Sequence, residues 1–509
     1  MMETVKIGWA KREISMDEPV KIPGQMYTRI SEGIHDPLYV TALCVDGGAD
    51  QDKVIFLSCD VVTVTAGILQ PIQEILNEMQ PEIPEHCFIL SATHTHSSIT
   101  LAGDPATTTP DGATIFPGAK AKEIFIHKCA EAICEAWNNR QEGGIGYGYG
   151  FAVVAHSRRV VYFEERLKNL PWNPTTPAGT AVMYGETNDP LFSHYEAGAD
   201  HFLNLMFTFD KAQKLTGIVV NVPCPSQLSE HFKKQSADFW NEVRQMVAKE
   251  YGPDVFVLPQ AAAAGDLSPR VLHYKEAQIR RMRLKYGLDY DLTRLREHGQ
   301  DEYNKVMAER YDIAERILEG IRDVYGWAKK DIQTQVPVRH HFHTLQLERR
   351  KISDEEVAWC KDNLEKLEAM KPEPDGLTPE EYRVKLSFYN SRIRRNTGGV
   401  QRAEEVKQEP NLPMDSHVVQ IGDVAFATIR FELYQDFMHR LQARSPFIQT
   451  FVMQMAGTEK GNYLATKRAV AAKGYSASMF CNMVSADGGQ QWVDQTLEVL
   501  HKMKNQDKQ

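Results

Sequence analysis

Closely paired cysteines are missing from this sequence. Its eight cysteines, at positions 44, 59, 87, 129, 134, 224, 360 and 481, never form a Cys-x-x-Cys unit. Thiols this scattered make neither a disulfide framework nor a cysteine-built zinc cluster, and they suit a reducing compartment. Also missing is any run near the ~20 apolar residues of a membrane span. The opening Met1-Met-Glu-Thr-Val-Lys-Ile-Gly-Trp-Ala carries no basic-then-apolar leader, so the expectation is a cytoplasmic protein. Basic residues are outnumbered: 58 Lys and Arg against 68 Asp and Glu leave a net charge of −10. That argues against a nucleic-acid partner, because phosphate binding needs a basic face. No internal repeat or low-complexity tract is visible. What is present, 509 residues with 42% apolar and 25% charged side chains, is an ordinary globular composition on more chain than one small core needs. The partner this leaves is a small-molecule substrate, with a homo-oligomer also open.

The first 265 residues alternate short apolar runs with helical patterns. Lys53-Val-Ile-Phe-Leu-Ser and Cys87-Phe-Ile-Leu-Ser are continuous apolar runs, the pattern of strands covered on both faces. An amphipathic stretch from about Leu69 to Met79 lies between them, so a parallel crossover is expected. Gly217-Ile-Val-Val-Asn-Val and Val255-Phe-Val-Leu-Pro-Gln repeat the theme, with a helix from about Ser236. Over 274–410 the chain turns charged and helical, with capping-box openings at Ser353-Asp-Glu-Glu356 and Thr378-Pro-Glu-Glu381. This reads as a helical insertion within a single mixed α/β domain spanning 1–509, serving as a lid or an oligomer contact. Strand pattern returns at His417–Ile429, with Gly422-Asp423 as a turn.

Polar clusters follow the apolar runs, where open α/β sheets collect ligands. The sharpest is His94-Thr-His96-Ser97. Alternate strand positions face one side, so both imidazoles can enter one cleft, as metal ligands or for proton transfer. Taken alone, they are equally well two surface or capping histidines. In Gly265-Asp-Leu-Ser268-Pro269, Ser268 reads as a nucleophile or substrate-orienting hydroxyl with Asp266 nearby, or as a turn cap before proline. Asn221-Val-Pro-Cys224-Pro-Ser-Gln offers a thiol that is a ligand, a nucleophile or a buried small hydrophobe. Glu432 follows the Val424–Ile429 strand. Tyr463 and Tyr475 flank a helix-like stretch twelve residues apart.

Taken in order, Gly33-Ile-His-Asp-Pro-Leu-Tyr39, Ser58-Cys-Asp60, Ser91-Ala-Thr-His-Thr-His-Ser97, Arg158-Arg159 and Gly265-Asp-Leu-Ser-Pro269 resemble the neutral/alkaline non-lysosomal ceramidase family. The resemblance runs over about residues 5 to 480. It implies a zinc-dependent hydrolase, one Zn2+ per chain, in which metal-activated water cleaves an N-acyl bond. By that resemblance His94, Glu432 and Tyr463 are zinc ligands. His96 stabilises an oxyanion or moves a proton, Tyr475 is a second active-site tyrosine, and Arg158 lies by the substrate carbonyl with Arg159 as its rival. Ser268 is either catalytic or binds a substrate hydroxyl.

Two departures follow. Where the family has its second zinc histidine, this sequence has Cys224. Either the Cys224 thiolate ligates, or His231 replaces it, or metal binding has been lost. The sequence also shows no secretion signal and no C-terminal β-sandwich domain, so a small or polar amide is expected in place of ceramide. Glycoside or ester hydrolysis on the same scaffold, metal-free nucleophilic catalysis by Ser268 or Cys224, and a non-catalytic binding protein are the alternatives.

Overall fold

A computed structural model of the chain describes residues 3–49, 52–294, 299–457 and 462–507. Its largest sheet has eight strands in the order Phe256–Ala261, Leu215–Val222, Phe202–Asp210, Gln141–Phe151, Lys6–Glu13, Tyr39–Asp46, Lys53–Cys59 and Phe88–Ala92. Two neighbouring pairs are parallel, and they are the two crossovers read from the sequence. Lys53–Cys59 runs beside Phe88–Ala92 with the Leu69–Met79 helix between them in the chain. Leu215–Val222 runs beside Phe256–Ala261 with the Phe239–Tyr251 helix between them. The other pairs are antiparallel.

The strand pairing that joins the two halves of this sheet is short, Lys6↔Glu142 and Ile7↔Gln141, and they fold toward each other across that junction. Trp9 from one half stacks on Phe256 of the other, ring centroids 5.4 Å apart, and its indole N–H donates to Thr208 Oγ1 at 3.0 Å. A four-stranded sheet, Val338–Glu348, Asn411–Ile421, Val424–Thr428 and Gln449–Met453, packs on the same inner face. Phe426 meets Phe56 at 4.9 Å and Phe451 at 4.5 Å. Burying Val, Ile, Leu and Phe from both sheets in one layer is the main cohesive term, about 1.5–3 kcal/mol per large side chain.

Helices cover the outer faces. Gln300–Ala328 lies on the Gln141–Phe151 strand, whose Gly-Ile-Gly-Tyr-Gly-Tyr-Gly sequence clears its path; a Cβ at Gly148 would stand 2.1 Å from the Trp327 ring. Arg310 on this helix is fully buried. It donates to both Glu242 oxygens at 2.8 Å, to Asp36 Oδ2 at 2.9 Å and to Ser236 Oγ at 2.9 Å. Asp36 of the Gly33–Tyr39 motif is therefore a structural acceptor. So is Asp60, which accepts from Tyr39 N at 2.9 Å and from Arg244 at 2.7 and 3.0 Å.

The 274–410 interval is not uniformly helical. Its helices, Lys275–Tyr286, Gln300–Ala328, Asp354–Glu368 and Pro379–Gln408, are divided by the Val338–Glu348 strand, which pairs with Asn411–Ile421 along its whole length. Both capping boxes form as read, Ser353 with Glu356 and Thr378 with Glu381. The Gly422 turn also forms, at φ +64°. No helix among the described residues is long and apolar enough to cross a membrane.

Candidate active site

The C-terminal ends of three strands that each belong to a parallel pair, and one later strand pair, converge on a buried polar cluster. His94 and His96 follow Phe88–Ala92, and Gln227 follows Leu215–Val222 on the Cys224-Pro-Ser-Gln segment. Gly265-Asp-Leu-Ser follows Phe256–Ala261. Glu432 and Tyr463 stand opposite each other in a two-residue parallel pairing, Glu432↔Tyr463. Gly265 is required where it is: a Cβ there would lie 2.4 Å from the Glu432 carbonyl oxygen.

Arg158 is the hub. Its guanidinium is fully buried and donates to Gly265 O at 2.9 Å, Gln227 Oε1 at 3.0 Å and Tyr184 Oη at 3.1 Å. Glu432 Oε2 and Tyr463 Oη both accept from it at 3.3 Å. Burial opposes its charge, but Tyr463, Tyr184 and Glu432 outweigh that and hold the guanidinium well above its ordinary pKa. Its backbone N–H donates to Asp266 O at 3.1 Å, so the Gly265–Ser268 segment acts as a backing for Arg158.

His94 Nε2 is 3.5 Å from Glu432 Oε2. Its Nδ1 bonds to Val62 O at 2.7 Å, which fixes the tautomer and aims Nε2 at the carboxylate. Burial works to raise the Glu432 pKa, yet His94 and Arg158 bring it down to about 2. His96 is the opposite case: burial and the neighbouring His94 lower it to about 3, so it is a neutral imidazole. Gln227 Nε2 lies 2.7 Å from His96 Nε2, and with Gln227 Oε1 engaged by Arg158 this makes His96 Nε2 the acceptor. His96 Nε2 is also 3.3 Å from His94 Nε2.

A cavity of about 980 Å3 opens in front of this cluster, with His96, Gln227, Tyr463 and Tyr475 in its wall. Tyr475 Oη accepts from Arg395 Nη2 at 2.8 Å, and its ring meets that of Tyr463 edge-on at 6.0 Å.

Compared with solved structures, the chain matches the neutral ceramidase from Pseudomonas aeruginosa at a TM-score of 0.64 and 14% identity, over 98% of this chain and 75% of that one. The chain has the neutral ceramidase fold. A ceramidase complexed with C2 matches it at a TM-score of 0.61 and 14% identity, over 98% and 76% of the two chains. No protein-family model and no curated protein matches the sequence.

The donors implied for zinc on this ceramidase fold divide three to one. His94, Glu432 and Tyr463 are together. Cys224 is not with them: it is fully buried in the apolar core, its Sγ 3.3 Å from Val154 O, and burial pushes its thiol pKa well above the ordinary value. It packs as a small hydrophobe, away from the other three. His231 does not take its place; it lies in the cavity wall, Nε2 3.8 Å from Glu230 and Nδ1 3.4 Å from Tyr27 Oη. Among the described residues no group of three or more His, Cys, Asp and Glu side chains is arranged for a metal ion. Of the implied donors, His94, Glu432 and Tyr463 are thus the ones that lie together, and burial holds the Tyr463 hydroxyl well above its ordinary pKa.

Two other expectations are resolved by the packing. Arg159 is no rival to Arg158, because Glu196 takes it bidentately at 2.7 and 2.8 Å. Ser268 is fully buried outside the cavity wall, and its Oγ accepts from Arg270 N at 3.1 Å, the turn-cap role. Asp266 does not face it, since its carboxylate accepts from Gln435 N at 3.2 Å. Gln227 and Tyr184 went unread in the sequence. Gln227 lies three residues past Cys224 in a motif that was noticed for its thiol, whereas Tyr184 sits on a loop with no signal.

Below the cluster, Glu230 is clamped by Arg270 and faces His96 Nδ1 at 3.7 Å. Burial works to raise its pKa, but Arg270, His96 and His231 lower it to about 2. A depressed carboxyl contributes stability that is fully present above its unfolded value near 4.5 and is lost as pH falls through 2. The drop corresponds to about 3 kcal/mol. Glu230→Gln is therefore expected to lower unfolding stability by that order at pH 7, with the gap to wild type closing from pH 4.5 downward. Urea melts across pH would check it; a pH-independent gap would contradict the assignment.

Proposed function

We propose that this chain is a hydrolase that cleaves the amide bond of a small or polar substrate, ceramide itself not being the expected one. The observation that carries this reading is the buried meeting of His94, Arg158, Glu432 and Tyr463 directly behind a cavity walled by His96 and Tyr475. A carbonyl entering that cavity meets the two tyrosines first. Tyr475 Oη accepts from Arg395 in the cavity wall, and its O–H, which bonds Cys481, can turn to a substrate oxygen instead. Arg158 lies behind with a permanent charge and supports negative charge developing on that oxygen. Donors so placed are worth ~10²–10³ in rate. Neutral His96 already accepts from Gln227 at Nε2, so it takes up a proton there only when Gln227 turns away. Were a zinc ion present, His94, Glu432 and Tyr463 would be the residues to hold it, and it would supply Lewis acidity and an activated water there. Neither Ser268 nor Cys224 reaches the cavity wall, so nucleophilic catalysis through them has no structural support.

One observation favours a second reading. Arg158 Nη2 stands 3.3 Å from both Glu432 and Tyr463, a fixed cation between two of the three donors, and on that reading the hydrolase needs no metal. Elemental analysis of protein purified without a metal-affinity column separates the two. The zinc reading expects about one ion per chain, retained in Cys224→Ala and lost in His94→Ala, as a three-ligand set requires. Amide hydrolysis by protein that stays metal-free after reconstitution would overturn it in favour of Arg158. Loss of zinc in Cys224→Ala would overturn the three-ligand assignment.

A further inference from the structure

The proposed reaction leaves the charge of the cavity wall unexplained. The chain carries a net charge of −10, yet the charged side chains lining this cavity are Arg166, Arg270, Arg392 and a single carboxylate, Glu230. Arg270 is bound to Glu230 and Arg166 to Asp189. Arg392 has no such partner. Among the described residues its guanidinium forms no hydrogen bond and no ion pair, its Nε is shut off from solvent without a partner, and it lies over the Phe388 ring at 5.7 Å. An arginine half-buried in a cavity without a counterion costs desolvation with nothing returned in the free protein.

Arg392 also sits in a defined relation to the candidate chemistry. It lies three residues before Arg395 on the Pro379–Gln408 helix, hence on the same face and roughly 5 Å along the axis. Arg395 donates to Tyr475, the tyrosine offered to the substrate carbonyl. Like Arg392 it has no carboxylate partner among the described residues, and its Nη1 is buried without one. Trp172, Trp359 and Phe388 supply apolar wall beside it.

We infer that this cavity selects amides that carry a carboxylate a few bonds from the amide, with Arg392 as the residue that reads it; N-acylated amino acids are the substrate class. The inference rests on the amide-hydrolase reading for the word substrate, while the anion recognition stands on Arg392 alone. A guanidinium meeting a carboxylate makes charge-assisted, geometrically specific bonds, and a partner that a neutral amide leaves unmade is worth about tenfold to a hundredfold in affinity.

The test uses N-dodecanoylglycine and its uncharged counterpart N-dodecanoylmethylamine, with binding by calorimetry and turnover by amine release, on the full chain and on Arg392→Gln and Arg392→Lys. The wild type is expected to bind the charged amide about ten- to a hundredfold more tightly. Arg392→Gln should bring the ratio close to one, and Arg392→Lys should keep part of it, since it retains charge but loses the fork. Thermal melts of both variants confirm folding. No binding of the charged amide, equal binding by wild type, or a ratio that Arg392→Gln leaves unmoved overturns the inference. Preference for the charged amide with neither amide cleaved keeps the anion site and removes the hydrolase. Cleavage of both at equal efficiency keeps the hydrolase and removes the anion site.

Discussion

Glu432→Gln is expected to lower kcat/KM for amide hydrolysis by about 10³-fold or more, the upper end of what one electrostatic group contributes. The substitution keeps shape and one acceptor oxygen, removes the charge and exchanges the second oxygen for an N–H2 donor. That charge is what the surroundings are built for: Glu432 Oε2 is 3.5 Å from His94 Nε2 and 3.3 Å from Arg158 Nη2, both inside the protein. A neutral amide would leave Arg158 in low dielectric without its carboxylate, and breaking a buried pair in this way costs about 3–5 kcal/mol. The substitution should therefore lower the melting temperature as well as the rate, and on the zinc reading it should also empty the metal site. Steady-state kinetics, differential scanning calorimetry and metal content on the same preparation read all three. Wild-type rates from Glu432→Gln would remove the cluster from the chemistry, whatever else the cavity binds.

How much of this was legible beforehand depended on whether the information was local. The two parallel crossovers could be read because strands buried on both faces are continuous apolar runs, as in Lys53–Cys59 and Phe88–Ala92. His94 and His96 were read as alternate positions on a strand, but the strand ends at Ala92 and His94 takes φ +64°, so a turn brings the two imidazoles together. Glu432 and Tyr463 came only from the resemblance, since thirty residues separate them and only the short pairing Glu432↔Tyr463 joins them. Cys224 was left open between ligand, nucleophile and buried small hydrophobe for a physical reason. A cysteine after a strand is chemically able to ligate, and only the packing of Val154 against it decides that it does not. The Val338–Glu348 strand was hidden because its Arg-His-His-Phe-His segment is half-exposed and polar on both faces. Arg392 went unread within the charged 274–410 stretch; its lack of a counterion exists only once the cavity closes around it.

Arg158→Lys and Arg158→Met together test whether the hub works by charge or by shape. Five acceptors surround the guanidinium, namely Gly265 O, Gln227 Oε1, Tyr184 Oη, Glu432 Oε2 and Tyr463 Oη. An ammonium has three donors and no plane, so lysine can keep the pair with Glu432 but must abandon at least two of the others. If charge is the catalytic contribution, Arg158→Lys should lose about tenfold and Arg158→Met about 10²–10³-fold in kcat/KM. If the fork is what matters, by holding Gln227 against His96 and Tyr463 beside Glu432, lysine should be nearly as damaging as methionine. The five-acceptor geometry favours the second outcome. Stability separates the two roles again. Methionine leaves the Glu432 carboxylate buried without Arg158, a cost of about 3–5 kcal/mol, and combining it with Glu432→Gln should recover part of that loss, because the double variant buries neither charge. Recovery of stability without recovery of rate would fix Arg158 and Glu432 as one electrostatic unit whose purpose is the reaction and not the fold.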